Sequence, residues 1–137
     1  MQTSYPLDKI KVVLFENIHD HAAEIYRGAG FQVDQYPKAL ADGELAEAAS
    51  DAHLIGVRSK TQLRKEFLGQ ARRLWGIGCF CIGTNQVDLN DATTQGIPVF
   101  NAPFSNTRSV AELVISEIVS LHRRLFDRSA AMHRGEW

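Results

Sequence analysis

Both cysteines of the chain, Cys79 and Cys81, fall in one stretch, GIGCFCIGTNQVDL (residues 76–89), together with Gly76, Gly78 and Gly83. Two thiols so close invite a metal, and glycines so close invite a nucleotide phosphate. The spacing argues against both. Thiols two residues apart on a strand face the same side, but zinc asks for four ligands and no second pair stands nearby. The other close pair, His19 and His21, follows a different apolar run. A disulfide across two residues would be strained. Small thiols buried in a core strand are the ordinary reading, and no metal site is expected. The glycines run G-x-G-x-x-x-x-G, two residues too long for the dinucleotide fingerprint, and they lead along a strand rather than into a helix. Arg27-Gly28-Ala29-Gly30 ends a helix and lacks a third glycine, and no Walker A string exists. The chain carries no nucleotide cradle of its own.

What it does carry suits a small anion. Arg58 can hold a carboxylate or phosphate with two parallel bonds. Gly83 lets main chain approach a ligand without a Cβ in the way. Asn106, near a helix start, places an amide in a positive field. Each has a plainer alternative: a surface ion pair for Arg58, a turn for Gly83, an N-cap for Asn106.

The elements that would position these residues alternate. Strands are expected over residues 10–15, 31–36, 53–58, 74–81 and 97–101, and helices over 19–28, 42–52, 61–73 and 88–95. That alternation predicts a doubly wound, five-stranded parallel sheet, with ligands beyond the carboxyl ends of the strands. Three loops lie there: Arg58-Ser59-Lys60, Gly83-Thr84-Asn85-Gln86 and the segment 102–106. Two stand-alone modules with this architecture fail on their own residues. A phospho-acceptor receiver needs an acidic cluster after strand one and an Asp after strand three, where Glu16-Asn17 and Arg58-Ser59 stand. A flavin-binding module needs a Ser/Thr/Gly loop where Glu16-Asn17-Ile18-His19 stands.

Past Pro103 the pattern changes. Ser109 and Glu112 read as a capping box, opening a helix over 107–125 with Val110, Leu113, Val114, Ile118, Leu121 and Leu125 on a broad apolar stripe. With the five-stranded unit already complete, that stripe calls for another domain, another subunit, or both. With a net charge of −1, nothing argues for a nucleic-acid binder or a polybasic membrane contact. No apolar run reaches a bilayer span and no leader is visible, so a cytoplasmic protein with reduced thiols is expected.

Three strings, VRSKT (57–61), GIGCFCIGTNQVDL (76–89) and GIPVFNAPFSNTRSVAEL (96–113), resemble the D-2-hydroxyacid dehydrogenases over essentially the whole chain. The resemblance implies a flavodoxin-like substrate domain over 1–104. Residues 105–137 would be the hinge and first helices of an NAD-binding Rossmann domain. It implies that Arg58, Ser59, Gly83 and Asn106 contact a phosphorylated hydroxyacid, with Lys60 adding positive charge. Ile82 and Val110 would border the nicotinamide of NAD, and the arm 107–137 would join two subunits. The family's glycine fingerprint, its ribose-binding acid and its catalytic Arg, Glu and His fall after Trp137. No catalytic residue is therefore expected here, and the chain reads as the inactive front part of a dehydrogenase. A non-catalytic dimerisation or ligand-binding module, working at this length, is the alternative.

Overall fold

The computed structural model describes residues 5–136. Strands β1 (Lys11–Leu14), β2 (Gln32–Gln35), β3 (Leu54–Val57), β4 (Gly76–Cys79) and β5 (Val99–Asn101) form one sheet in the order β2-β1-β3-β4-β5. Every pairing is parallel, with Val12 opposite Leu54, Ile55 opposite Ile77, and Ile77 opposite Val99. The expected doubly wound α/β sheet is therefore present. Val12, Val13 and Leu14 are all buried, as a central strand covered on both faces requires.

The two faces are covered unequally. Helices α2 (Asp42–Ala48), α3 (Lys65–Gln70) and α4 (Leu89–Thr94) pack Leu45, Phe67, Leu68 and Ala92 against Val13, Phe15, Ile55 and Ile77. Among the described residues of this unit, helix α1 (Asp20–Gly28) alone packs the opposite face, setting Ala23 against Val12, Leu14 and Ile18. Beyond α1, that face stays open in this unit as an apolar groove of about 400 Å³ over Leu54, Gly76, Gly78, Phe80 and Phe100.

Several boundaries differ from those the periodicity predicts. The helix expected over 61–73 is only α3, because the chain bends at Thr61 and runs extended through Leu63 and Arg64. Leu63 forms a parallel bridge with Val87, its N–H donating to the Gln86 carbonyl at 2.8 Å while its own carbonyl accepts from Asp88. Leu63, Phe67, Leu68 and Ala71 are nevertheless all buried. Strand β4 stops at Cys79 rather than 81, and the chain bends over residues 80–83 into the loop that follows.

Contacts divide the chain into two units between Pro103 and Phe104. The second consists of α5 (Thr107–His122) and α6 (Leu125–His133), joined through Arg124 in the left-handed region at φ 50°. The single helix expected over 107–125 is thus two, and Leu125 opens α6 rather than extending the stripe of α5. The capping box is absent too. Asn106 is the N-cap, Ser109 lies inside the first turn, and Glu112 pairs with Arg108 at 2.7 Å. No residue of either helix is buried.

Within the first unit the tightest backbone position is Gly56 in β3. A Cβ there would lie 2.6 Å from Leu14 Cδ2, 3.0 Å from Phe80 Cε2 and 3.2 Å from Ile18 Cδ1. Overpacking of this kind costs about 1–3 kcal/mol. Gly56→Ala should lower unfolding stability by that amount, read as a lower urea midpoint with unchanged slope. An unshifted midpoint would mean that Leu14 and Phe80 relax freely.

Candidate functional site

The site is built where β1 and β3 end side by side. After Phe15, whose N–H donates to the Gly56 carbonyl at 2.9 Å, Glu16 and Asn17 both take left-handed backbone, at φ 63° and 53°. Each such residue costs about 1–2 kcal/mol when it is not glycine, and what offsets the cost is visible. The turn carries the Glu16 carboxylate beneath the loop that follows β3. One carboxylate oxygen, Oε1, accepts the N–H groups of Arg58 at 3.2 Å and Thr61 at 2.8 Å. The other, Oε2, accepts those of Ser59 at 3.1 Å and Lys60 at 2.9 Å. Four successive main-chain donors thus converge on one carboxylate that is only 8% exposed.

A second buried side chain holds the other end of the first peptide in this loop. Gln86 is fully buried, and its Nε2 donates to the Arg58 carbonyl at 2.6 Å and to the Gly83 carbonyl at 3.3 Å. The Cys81 thiol lies 3.3 Å from the Arg58 carbonyl and 3.2 Å from that of Gly83, and it donates toward them. One amide and one thiol therefore tie the loop after β3 to the loop after β4. Asn101 at the end of β5 donates to the Ile82 carbonyl at 2.7 Å, and the Ala102 N–H donates to the Cys81 carbonyl at 3.1 Å. Three strand ends are held together by main chain and short side chains.

Of the residues expected from the sequence to bind a ligand, Arg58, Ser59, Lys60, Ile82 and Gly83 come together in this first unit, all exposed. Arg58 borders a groove of about 460 Å³ with Asn17, Ile18, His19, Asp20 and Phe80. Asn106 and Val110 belong to the second unit. Both are exposed on it, Asn106 preceding α5 and Val110 within its first turn. Asn106 stands at the N-cap position of α5, as its plainer alternative has it, and its side chain makes no capping bond. Cys79 is a core residue whose thiol is pushed up to about 11, first by burial and then by the Cys81 thiol beside it. Among the described residues no group of three or more His, Cys, Asp or Glu side chains is placed to hold a metal.

Sequence reasoning overlooked Glu16 and Gln86. Glu16 enters it only as a mismatch to a receiver motif and to a flavin-binding loop. Its signal was an acidic residue closing a run of buried apolar ones, with an asparagine tolerant of left-handed backbone behind it. Gln86 carried no local signal, because its shortest bond, to the Arg58 carbonyl, reaches twenty-eight residues back along the chain.

A five-stranded α/β unit with main-chain and cationic groups gathered at its strand ends is the build of a small-ligand-binding domain. The sequence profile of the D-isomer specific 2-hydroxyacid dehydrogenases, catalytic domain, matches residues 12–132, and the chain belongs to that family. It is 51% identical over 135 residues to D-3-phosphoglycerate dehydrogenase of Dictyostelium discoideum, covering 98% of this chain and 33% of that protein. To the enzyme of the same name from Haemophilus influenzae it is 54% identical over 137 residues, covering 99% and 33%. The chain thus spans about a third of the length of these relatives. Among solved structures, D-lactate dehydrogenase from Aquifex aeolicus, complexed with NAD and lactic acid, superposes with a TM-score of 0.72. That match has 25% identity and covers 91% of this chain and 38% of that one.

The Glu16 carboxyl feels opposing influences. Burial raises its pKa, while the N–H donors of Thr61, Lys60 and Arg58 lower it and prevail, so it lies below the ordinary glutamate value. A carboxyl depressed in the folded state stabilises the fold above its unfolded pKa, about 4.3, and loses that contribution as pH falls through the lower folded value. The stability advantage of the native protein over Glu16→Gln should therefore be constant from pH 6 to 8 and shrink below about 4.3. Urea unfolding of both proteins at pH 3 and pH 7 checks this. An advantage independent of pH would exclude an ionised Glu16.

Proposed function

We propose that this chain is the N-terminal, substrate-binding part of a D-3-phosphoglycerate dehydrogenase. It would hold 3-phospho-D-glycerate for oxidation to 3-phosphohydroxypyruvate with NAD, a step toward serine. The observation that carries the reading is the loop Arg58-Ser59-Lys60, fixed from below by Glu16 with its side chains exposed beside the main chain of Gly83. A doubly charged phosphate and a carboxylate call for such a combination of guanidinium, hydroxyl, ammonium and main-chain donors. Identities of 51% and 54% to enzymes of that name support the choice of substrate within the family.

In this reading Asn106 contributes an amide to substrate binding. NAD, when bound, takes the hydride from C2 of the substrate. Its phosphates would be held outside these 137 residues, which contain no glycine fingerprint. What this chain offers the coenzyme is apolar side chains, Ile82 in the first unit and Val110 in the second, both roughly half exposed. The base that takes the hydroxyl proton also lies outside it, so the segment alone binds NAD weakly and does not turn over. Two free thiols suit a cytoplasmic enzyme, and among the described residues no helix is long and apolar enough to cross a membrane.

The test is kinetic. In the full-length enzyme Arg58→Ala should raise KM for phosphoglycerate by one to two orders of magnitude, since losing a charge-assisted contact costs about 1.5–3 kcal/mol. An unchanged KM would return Arg58 to a surface role.

The second unit carries the partner. On α5, Val110, Leu113, Val114, Ile118 and Leu121 share one stripe, and Ile115 and Val119 widen it; all are exposed. Burying each such side chain is worth about 1.5–3 kcal/mol, and the family resemblance points to a second copy of the same arm as the cover. The 137-residue chain should sediment as a dimer at micromolar concentration, and a chain ending at Phe104 as a monomer. Two monomers would refute the arm-to-arm dimer.

A further inference from the structure

Four consecutive N–H groups pointing at one spot form a concavity that binds anions. In this fold that concavity, made by residues 58–61, is already filled from inside by Glu16. The carboxylate sits at 2.8–3.2 Å from all four nitrogens. It is buried, its own backbone is held in the left-handed region, and the Arg58 carbonyl on the far side is fixed by Gln86 at 2.6 Å. An anionic ligand approaching this loop finds no free main-chain donor there. It meets the side chains of Arg58, Ser59 and Lys60, which the occupied concavity turns outward and exposes.

We propose that Glu16 is the positioning residue of the substrate loop, a resident internal anion that sets the backbone of residues 58–61. By occupying their N–H groups it commits the loop to side-chain recognition of the external anion. The part concerning substrate rests on the function proposed above; the part concerning the loop does not. Removing the carboxylate leaves a carboxylate-sized cavity lined by four donors. The groove bounded by Asn17 and Arg58, the residues flanking Glu16 in sequence and in hydrogen bonding, gives a small anion its approach. Formate, with two oxygens on one carbon, has the geometry to replace the lost group. Chloride does not.

The probe is therefore formate added to Glu16→Ala. In the 137-residue chain the amide proton resonances of residues 58–61 should lose the downfield shift that a carboxylate acceptor confers. Tens of millimolar formate should restore it, and chloride at equal ionic strength should not. In the full-length enzyme the same variant should show KM for phosphoglycerate raised roughly tenfold, as misplaced contacts produce, with kcat at saturation within about twofold. Formate should bring KM back. Should Glu16→Ala fail to fold, Glu16→Gln serves. Its amide group confronts two of the four N–H donors with an NH2, so one pair, Arg58 and Thr61 or Ser59 and Lys60, should lose its shift and exchange faster. Unchanged amides in a folded variant, or restoration by chloride as readily as by formate, would overturn the proposal. If Arg58→Ala raises KM and Glu16→Gln does not, the positioning role falls while the function stands. If neither raises KM, the functional reading falls, and the formate titration alone decides the role of Glu16 in the loop.

Discussion

The Glu16 carboxylate receives its first hydrogen bond from a residue forty-two positions further along the chain, and the next three from the residues that follow. β1 and β3 are neighbours in the sheet, so this contact closes the strand-end edge with one side chain. A buried carboxylate is costly to keep ionised unless its lone pairs are satisfied, and here main-chain donors satisfy them. A loop that would otherwise be free to choose among turns is held in one. Everything proposed for Arg58, Ser59 and Lys60 depends on that constraint, because a guanidinium recognises an anion by direction as well as by charge.

From this anchor the constraints spread along the edge. Gln86 and Cys81 pass the fixed position of the Arg58 carbonyl to the loop after β4, and Asn101 passes it to the end of β5. The opening cysteines thus divide their roles. Cys79 fills the core, and Cys81, two residues on and facing the same side, serves as a weak donor between loops. Gly56 belongs to the same set for a steric reason. It lets Leu14, Ile18 and Phe80 close over β3 just before the loop begins. The exposed side chains proposed to bind substrate thus stand on a buried, hydrogen-bonded base.

The two units meet their solvent differently. The first buries a continuous core against α2, α3 and α4 and leaves one apolar groove beyond α1. The second is a helical pair with no buried residue, and α5 is apolar over more than one stripe. An exposed surface of that composition marks a place of association. The two phosphoglycerate dehydrogenases the chain matches run about three times its length, and what covers this surface is proposed above as a second copy of the arm.

How much of this was legible in the sequence follows from the range of the interactions. Short β-rich runs alternating with helical periodicity pointed to the five strands, the helices between them and a parallel sheet, because those patterns report burial, which is local in its signature. The long strings around Arg58, Gly83 and Asn106 determined the family. Boundaries were less legible where a long-range contact overrides local pattern. Leu63 lies on a helical stripe but pairs with Val87, and α3 starts later for that reason. Arg124 breaks a continuous helical pattern through a left-handed residue that no glycine announced. The Ser109–Glu112 signature was overridden when the helix began at Thr107 and Glu112 turned to Arg108. The partners of Glu16 could not be read from sequence, where it closes an apolar run ahead of Asn17 with no donor in reach. Only the juxtaposition of two strand ends, set by the sheet order, brings it under four amides of a distant loop, because a hydrogen bond requires its groups within about 3 Å of each other and sequence spacing carries no such distance.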